Sequence, residues 1–304
     1  MRYLPMTPPR RGYSTCALGL GSSPQSSADL HERPVVVRHL TTDPGQMHST
    51  ARRTARVLAS AIAVMGLLAV PAGASAMDFG KVRGWWPLNE GRGQTVYDWS
   101  GHGNKGMLGS TPGIDANDPT WIKGIFWGSA LRFGGDDFVT IPNDTSLQPT
   151  QFTISLWTRA PQSPGQFKYL LAKGSNQCVA ASYGIWTASN GGIEFYVWNG
   201  HDLVRAAGTP NGIWDGRWHN VSATYDGSQA KLYLDGKDLG NVPGSPDPIQ
   251  YDQPDGTASI GGYRGSCDLL FNGDIDQVMI FDKVLPIAQI WARYGSILGL
   301  PTLQ

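Results

Sequence analysis

Residues 219–236, HNVSATYDGSQAKLYLDG, decide the fold class of this chain. On both sides of Asp226-Gly227, apolar residues alternate with polar ones, which is the pattern of half-buried strands. Asp-Gly dipeptides accept the positive φ angles of tight hairpin turns, and a second one, Asp235-Gly236, ends the stretch. The stretch therefore predicts an antiparallel meander.

Outward from this meander, short alternating segments bounded by Gly, Pro, Asn and Asp run from Trp85 to Phe281. One helix is indicated after Pro286, where apolar residues at helical spacing precede the stop signal Gly295. These residues are Ile287, Ile290, Trp291 and Tyr294. Strands without crossover helices must close their sheets face to face. We predict an all-β fold, a two-sheet antiparallel jelly-roll sandwich with one short C-terminal helix.

Composition agrees with an all-β chain and argues against nucleic-acid binding. The 304 residues include 39 Gly and 11 Trp, and only 16% are charged. The net charge of +0 divides into +5 for residues 1–76, from eight basic and three acidic residues, and −5 for residues 77–304, from sixteen and twenty-one. Because no stripe of Lys and Arg runs through the acidic part, we expect no nucleic-acid partner.

The N-terminal region is typical of an export signal. Residues 57–70, VLASAIAVMGLLAV, follow Arg52, Arg53 and Arg56 and precede the small residues Ala74-Ser75-Ala76. This order is that of a secretory signal peptide cleaved after Ala76. The run is shorter than the roughly 20 residues of a membrane span. We therefore expect a secreted mature protein that does not span a membrane.

These observations divide the chain into three parts. Residues 1–46, rich in Pro, Ser, Thr and Arg, are either a disordered extension or a stretch ahead of the true start at Met47. Residues 47–76 form the signal peptide. Residues 77–304 form a single domain, because roughly 200 to 250 residues is routine for one sandwich. The sequence does not indicate the oligomeric state.

Two cysteines, Cys178 and Cys267, belong to the mature chain, since Cys16 lies in the part that is removed. An even pair in an exported, oxidising context favours a disulfide between them. Two sulfurs alone do not make a zinc site.

A series of motifs runs in order along the mature chain. They are WPLNEG at 86–91, DWSGHGN at 98–104, ALRFGG at 130–135, WHNV at 218–221, LYLDG at 232–236, IGG at 260–262 and FNGDID at 271–276. In order and spacing they resemble the laminin-G-like jelly-roll domains of the concanavalin A-like lectin/glucanase superfamily, over residues 82–294. The resemblance implies an architecture and a range of functions: glycan-binding modules, adhesion domains and accessory domains of polysaccharide-degrading enzymes.

Oxygen-bearing residues in these motifs predict a structural calcium ion, Ca²⁺. Asp98 and Asn104 flank a Gly-rich loop, and simple alternation places Asp276 on the buried strand face of Val278 and Ile280. The resemblance implies that this loop and this strand approach each other. Glu90 is a further candidate ligand. The alternative is that Asp98 and Asn104 cap turns and Asp276 accepts backbone N–H bonds.

Aromatic strand faces predict a site for a glycan or polysaccharide. In the strand 193–198, the Ile, Phe and Val side chains suit the core, which places the intervening residues on the opposite face. Aromatic rings beside carboxylates and amides hold sugars by stacking and hydrogen bonding. The candidate residues on such faces are Trp157, Trp186, Glu194, Tyr196 and Trp198. The alternative is that these rings simply pack in a core.

Loop residues extend this candidate site. In laminin-G-like domains the loops equivalent to those of Cys178 and Cys267 lie beside one another, so the resemblance implies that the disulfide braces one edge of the sandwich. The rim candidates there are His201, Asp202, Arg205, Tyr263 and Arg264. The alternative for each is a solvated loop residue.

The sequence lacks the carboxylate pattern of the superfamily's glucanases. Glycoside cleavage needs two carboxylates, which these enzymes place on one strand as Glu-x-Asp-x-x-Glu. Residues 77–304 contain only Glu90 and Glu194, neither of which begins that pattern, and Asp274-Ile275-Asp276 is the nearest approach. We predict no catalytic residues and a non-catalytic, secreted carbohydrate-binding module. The alternatives are an extracellular adhesion or structural domain and, less favoured, a polysaccharide-degrading enzyme.

Overall fold

The computed structural model describes residues 81–176, 180–240, 242–264, 269–290 and 292. They contain sixteen β-strands, the short 3-10 helices Thr145–Leu147 and Asn211–Ile213, and one short α-helix at 287–290. Among these residues no helix is long and apolar enough to cross a bilayer. Trp291 and Tyr294, predicted in the terminal helix, lie outside the described residues, as does the signal peptide.

In chain order the strands are β1 (Val82–Trp86), β2 (Thr95–Val96), β3 (Gly106–Leu108), β4 (Thr120–Lys123), β5 (Ser129–Gly134), β6 (Val139–Ile141), β7 (Phe152–Arg159), β8 (Tyr169–Ser175), β9 (Tyr183–Thr187), β10 (Ile193–Trp198), β11 (Leu203–Arg205), β12 (His219–Tyr225), β13 (Ala230–Leu234), β14 (Lys237–Asp238), β15 (Asp255–Ile260) and β16 (Asn272–Phe281).

The strands form two antiparallel sheets of eight strands each. Sheet A has the order β14-β13-β12-β7-β16-β5-β4, and β1 also pairs with β16. Sheet B has the order β11-β10-β9-β8-β15-β6-β3-β2. The meander over 219–236 is β12 and β13, paired from Val221–Leu234 to Tyr225–Ala230. The predicted two-sheet jelly-roll sandwich with one short helix is confirmed.

The main core lies between the sheets. Phe152 of β7 is at its centre: its ring centroid is 4.7 Å from that of Tyr183 and 6.0 Å from that of Phe195, both in sheet B. It is also 6.0 Å from the ring of Tyr225 in sheet A. All four residues are fully buried, and each such side chain contributes roughly 1.5 to 3 kcal/mol. This burial determines which face of each strand points outward.

Two smaller apolar clusters cover parts of the outer faces. On sheet A, Tyr233, Met279 and Phe281 pack with Ile290 of the terminal helix. On sheet B, the cluster is mainly aromatic and comprises Tyr169, Ala172, Ala180, Ala181, Tyr196 and Tyr263, with Trp186 and Trp198 half-buried at its edge. Neither outer face is therefore a uniform polar surface.

A β-bulge in β16 corrects one expectation from alternation. The pairing of β16 with β7 shifts between Asp276 and Met279, and Gln277 takes a positive φ of 52°. The extra residue reverses the alternation, so Val278 points into the main core while Asp276 lies on the outer face of sheet A. Asp276 therefore does not share a face with Val278, although it is fully buried.

His219, the first residue of β12, lies between two carboxylates. Its Nδ1 is 2.7 Å from Asp235 Oδ2, and its Nε2 is 3.1 Å from Asp215 Oδ1. Asp235 belongs to the turn between β13 and β14, and its other oxygen accepts from the Asn220 N–H. The hydrogen bond to Asp235, opposed by partial burial, raises the pKa of His219. Protonated His219 thus ties this turn to β12.

We expect this tie to make stability pH-dependent. Because the folded-state pKa is raised, the stabilisation is fully present below the unfolded-state pKa of about 6.5 and is lost as pH rises through the folded value. His219→Gln should flatten the decline in unfolding free energy across that window, measured by urea titration at a series of pH values. His201→Gln, at an exposed position, is the control. Identical pH profiles for wild type and His219→Gln would contradict the prediction.

Candidate functional site

A pocket of about 450 Å³ opens where the turn after β10 meets the segment 250–254. We call it the Trp198 pocket. Its lining combines one indole ring, several amides, an imidazole and one carboxylate: Asn176, Trp198, Asn199, Gly200, His201, Gln250, Asp252, Gln253 and Pro254. A ring for stacking beside groups that exchange hydrogen bonds with hydroxyls is the chemistry that a sugar requires.

Asn199 shapes the turn that forms one wall. Its side-chain Oδ1 accepts from the backbone N–H groups of His201, at 3.0 Å, and Asp202, at 2.7 Å. Its Nδ2 donates to Ser245 Oγ at 3.2 Å. Gly200, between them, has a φ of 95°, a conformation that side-chain-bearing residues rarely adopt. The turn is thus held in one shape with His201 at the pocket rim.

The segment 250–254 forms the opposite wall and is fastened directly to β10. The backbone N–H of Gln250 donates to the Trp198 carbonyl at 2.9 Å. Gln253 is nearly buried against Gly174, where an added Cβ would lie 3.1 Å from the Gln253 side chain. Sequence reasoning missed these lining residues because the segment has no periodic pattern, and its contact with Trp198 is long-range.

Several polar groups of the pocket remain available to a ligand. Within the described part of the chain, the side chains of Asn176, Gln250 and Gln253 make no hydrogen bond to other residues. The His201 imidazole is also without a partner there. Trp198 is partly exposed beside them. The pocket therefore offers both a stacking surface and unused hydrogen-bonding groups.

Two of the predicted binding residues are structural instead. Tyr196 is fully buried, and its hydroxyl lies 2.5 Å from that of Tyr169 and accepts from the Ala181 N–H at 2.9 Å. Tyr263 is also buried, and its hydroxyl accepts from the Asn176 N–H at 2.8 Å. Burial raises the pKa of Tyr169 and Tyr196 well above the usual value. All three hydroxyls are engaged in hydrogen bonds within the protein.

Glu194, Trp186 and Arg205 bond to one another in what we call the Trp186 cluster. Glu194 Oε2 accepts from Trp186 Nε1 at 3.1 Å and from the Arg205 guanidinium at 2.7 Å. The guanidinium also lies 5.6 Å from the Trp186 ring centroid. Cross-strand register brings the three side chains together. Glu194 pairs with Trp186, and Tyr196, the next residue on the same face of β10, pairs with Arg205. Glu194 is four residues from Trp198 along β10, roughly 13 Å, so the cluster and the pocket are separate.

The remaining predicted binding residues lie elsewhere. Trp157 is on β7 of sheet A, almost fully buried, with its ring 5.4 Å from that of Phe126. The alternating pattern predicted that Trp157 lies on the face of its strand opposite the core, but it did not predict to which sheet the strand belongs. Arg264 is exposed; it donates to Thr140 Oγ1 at 2.7 Å and lies 3.6 Å from Asp255. Trp198 and His201 are thus the predicted residues that the structure brings together in the pocket.

Among the calcium candidates, Asp98 and Asn104 are joined by hydrogen bonds. Asp98 Oδ1 accepts from the N–H groups of Trp85 and Ser100, and its Oδ2 accepts from Ser100 Oγ and the Asn104 N–H, all between 2.8 and 2.9 Å. The Asn104 amide donates to the Arg83 carbonyl and to Ser146 Oγ. These bonds favour the alternative of turn capping for both residues.

Asp276 and Glu90, unlike Asp98 and Asn104, each keep a buried side-chain oxygen without a partner among the described residues. Asp276 Oδ2 accepts from the Ile125 N–H at 2.9 Å, and desolvation raises the pKa of Asp276 to about 7. Asp276 Oδ1 and Glu90 Oε2 are both buried without a hydrogen-bond partner in the described part of the chain. No group of three or more His, Cys, Asp or Glu side chains suited to a metal occurs among the described residues. The four candidates thus do not form one ligand set, and calcium stays a prediction.

Both carboxylates of the Asp274–Asp276 pair are buried. Asp274 is buried and receives hydrogen bonds from Arg132 and Arg159 at 2.7 to 3.0 Å. Asp276 is fully buried. Among the described residues that line the Trp198 pocket, Asp252 is the one carboxylate. A two-carboxylate mechanism would need a second carboxyl group beside it.

Comparison with protein families identifies the fold family. The sequence model of a family described as the concanavalin A-like lectin/glucanases superfamily matches residues 133–291, more than half of the chain. The chain therefore belongs to the concanavalin A-like lectin/glucanase superfamily, as its motifs predicted. A comparison with curated proteins found no match.

Solved structures share the fold at low sequence identity. The binding domain of Paraclostridial Mosquitocidal Protein 1 has a TM-score of 0.55 and 14% identity, covering 72% of this chain and 52% of that one. Domain 4 of AbnA, an extracellular GH43 arabinanase from Geobacillus stearothermophilus, has a TM-score of 0.51 and 16% identity, covering 69% and 97%. A botulinum neurotoxin type C structure has a TM-score of 0.54 and 15% identity, covering 72% and 52%. The chain thus spans about half the length of the toxin chains.

Cys178 and Cys267 lie outside the described residues, but residues that flank them are in contact. Besides accepting from the Asn176 N–H, the Tyr263 hydroxyl donates to the Ala180 carbonyl at 3.5 Å. We therefore keep the prediction of a disulfide between the two cysteines, worth roughly 4 to 5 kcal/mol in the chain-entropy model. Peptide mapping of the non-reduced protein should find the cross-linked peptide. Two free thiols in the folded protein would contradict it.

Proposed function

We propose that this member of the concanavalin A-like lectin/glucanase superfamily is a non-catalytic carbohydrate-binding module whose glycan or polysaccharide ligand binds in the Trp198 pocket. The observation that carries the proposal is the partly exposed Trp198 indole beside the side chains of Asn176, Gln250, Gln253 and His201, which have no hydrogen-bond partner in the described part of the chain. The C–H face of a sugar ring stacks on the indole, while amide and imidazole groups exchange hydrogen bonds with its hydroxyls.

Two of the similar structures support a carbohydrate ligand. The arabinanase domain was solved in complex with arabinotriose, and the neurotoxin structure concerns interaction with two ganglioside molecules. At 15 to 16% identity these likenesses carry the fold alone, so the choice of ligand class for this chain depends on the composition of the pocket.

Binding without turnover is favoured by the state of the carboxylates. Glu194 is occupied by Trp186 and Arg205, and Asp274 by two arginines. A retaining or inverting mechanism needs two carboxyl groups flanking the scissile bond, whereas the described lining of the pocket contributes only Asp252. An extracellular adhesion domain is the second candidate, and it predicts no glycan affinity.

We also propose that the module is exported and carries the Cys178–Cys267 disulfide. The support is the signal-peptide order of residues 52–76 and the even pair of cysteines in the mature chain. Neither region is among the described residues. Export places the pocket where extracellular polysaccharides are found.

A structural calcium ion remains part of the proposal, restricted to Asp276 and Glu90. Both have a buried oxygen without a partner in the described part of the chain, which a cation would satisfy. If calcium binds, a concentration of 100 times Kd adds about 2.7 kcal/mol of stability. We expect a higher Tm in calcium than in EDTA, and we expect Asp276→Asn to abolish the difference while Asp98→Asn retains it. Equal Tm values for wild type in both buffers would overturn the calcium proposal.

We expect Trp198→Ala to weaken binding of the cognate glycan by about 1 to 3 kcal/mol, as when a ring that stacks on a ligand is truncated. Glycan-array profiling of the purified protein identifies the ligand, and isothermal titration calorimetry measures Kd. Trp127→Ala is the matched control, because Trp127 is 65% exposed and does not line the pocket.

Three results separate the candidate functions. A glycan that binds wild type and Trp127→Ala, binds Trp198→Ala weakly and is recovered intact supports the module. Shortened sugar products after incubation would show that the protein is a polysaccharide-degrading enzyme and not a binding module. Absence of affinity for any glycan on a broad array would favour the adhesion domain.

A further inference from the structure

Three charged residues form a row across neighbouring strands of sheet A, opposite in the sandwich to the Trp198 pocket. Asp274 of β16 pairs directly with Arg132 of β5 on one side and with Arg159 of β7 on the other. Directly opposite residues in antiparallel strands share one face. The side chains therefore meet on the outer face of the sheet, and we call them the Arg-Asp-Arg row.

The carboxylate in this row holds both guanidinium groups in place. Arg132 donates its Nε to Asp274 Oδ1 at 2.8 Å and one terminal nitrogen, Nη2, to Oδ2 at 3.0 Å. Arg159 donates its Nε to Oδ2 at 2.7 Å, and its guanidinium carbon lies 4.7 Å from the Trp218 ring centroid. Ion pairing and stacking reduce the conformational freedom of both arginines.

The row has hydrogen-bond donors left over. Among the described residues, Arg132 Nη1 and both terminal nitrogens of Arg159 have no acceptor. Arg132 is more than half exposed and Arg159 about a third, whereas Asp274 is buried. A ligand therefore meets guanidinium groups rather than the carboxylate.

A pocket of about 450 Å³ lies at this row, lined also by Phe133, Ala160, Pro161, Gly216, Asn272 and Gly273. Gly273 packs too closely for a side chain: an added Cβ there would lie 2.6 Å from the Phe271 ring and 2.8 Å from the Arg159 carbonyl. The lining thus combines apolar walls with two preorganised cations at one end.

We propose that this pocket binds an acidic sugar through a singly charged oxyanion, either a uronate carboxylate or a sulfate ester. Two arginines and one aspartate leave a charge of +1 in the lining, which a monoanion neutralises. A doubly charged phosphate would leave an excess negative charge beside Asp274. The planar guanidinium forks match the paired oxygens of a carboxylate or sulfate, and the apolar walls accommodate the ring.

This site is independent of the Trp198 pocket. The row belongs to β5, β7 and β16 of sheet A, whereas Trp198 belongs to β10 of sheet B. Either site can fail without the other, because none of the described residues lines both pockets. Together they give the module a subsite for neutral sugars and a subsite for anionic sugars, on opposite sheets.

The test uses pairs of probes that differ in charge: trigalacturonic acid with its neutral methyl ester, and a sulfated disaccharide with its unsulfated form. We expect the acid or the sulfated sugar to bind, its neutral counterpart to bind at least tenfold more weakly, and sodium chloride to weaken the charged complex. Arg132→Gln should weaken it roughly tenfold or more, as expected when hydrogen bonds to a charged group are lost. Arg132→Lys keeps the charge but lacks the guanidinium fork, so its affinity for the charged sugar should lie between those of wild type and Arg132→Gln.

The controls locate the bound sugar. Arg92→Gln removes the same charge from an exposed position outside the pocket and should bind like wild type, as should Trp198→Ala. The Trp218 indole N–H resonance should shift on addition of the acidic sugar. Affinity for only one of the two charged probes identifies the anion.

Any of four results would overturn the proposal. These are equal affinity for charged and neutral probes, wild-type affinity in a folded Arg132→Gln, loss of acidic-sugar binding in Trp198→Ala, and no affinity for either charged probe.

Discussion

Face-to-face burial of the two sheets is the constraint on which the rest of this structure depends. Phe152 contacts rings from both sheets, and its neighbours in the core alternate along every strand around it. Once the inner faces are assigned to the core, each intervening residue must point outward, where its neighbours across the strands decide its role. Function in this protein is therefore a property of the outer faces and of the turns that connect the strands.

The outer face of sheet B explains why the candidate glycan site lies at the end of β10 and not at its middle. The protein's own rings close the centre: Tyr196 is covered, and its hydroxyl bonds to Tyr169 and Ala181. At Trp198 this covering ends, and the segment 250–254 approaches only as far as a pocket wall. An aromatic strand face thus becomes a binding site only where intramolecular packing stops short of it.

Alternation in the sequence predicted the sandwich, the hairpins and the outward faces of β7 and β10, because a period of two follows directly from strand geometry. It could not assign Trp157 to sheet A, since both sheets contribute strands with the same pattern. It also placed Asp276 with Val278, because the bulge at Gln277 has no signature in residue type. The sequence also does not indicate the register between strands. The contact of Glu194 with Trp186 and Arg205 depends on which residues lie opposite each other, and long-range packing determines that.

The two charged clusters on the outer faces differ in net charge, because cross-strand register gives their carboxylates different numbers of arginine partners. In the Trp186 cluster one carboxylate meets one guanidinium, so Glu194 and Arg205 neutralise each other beside an indole. In the Arg-Asp-Arg row one carboxylate meets two guanidinium groups, so one positive charge remains after Asp274 has positioned both. The same kind of ion pairing therefore leaves no net charge in the sheet B cluster and one net positive charge in the sheet A row. Only the second has an electrostatic reason to bind a further group, and it lies in a pocket with room for one.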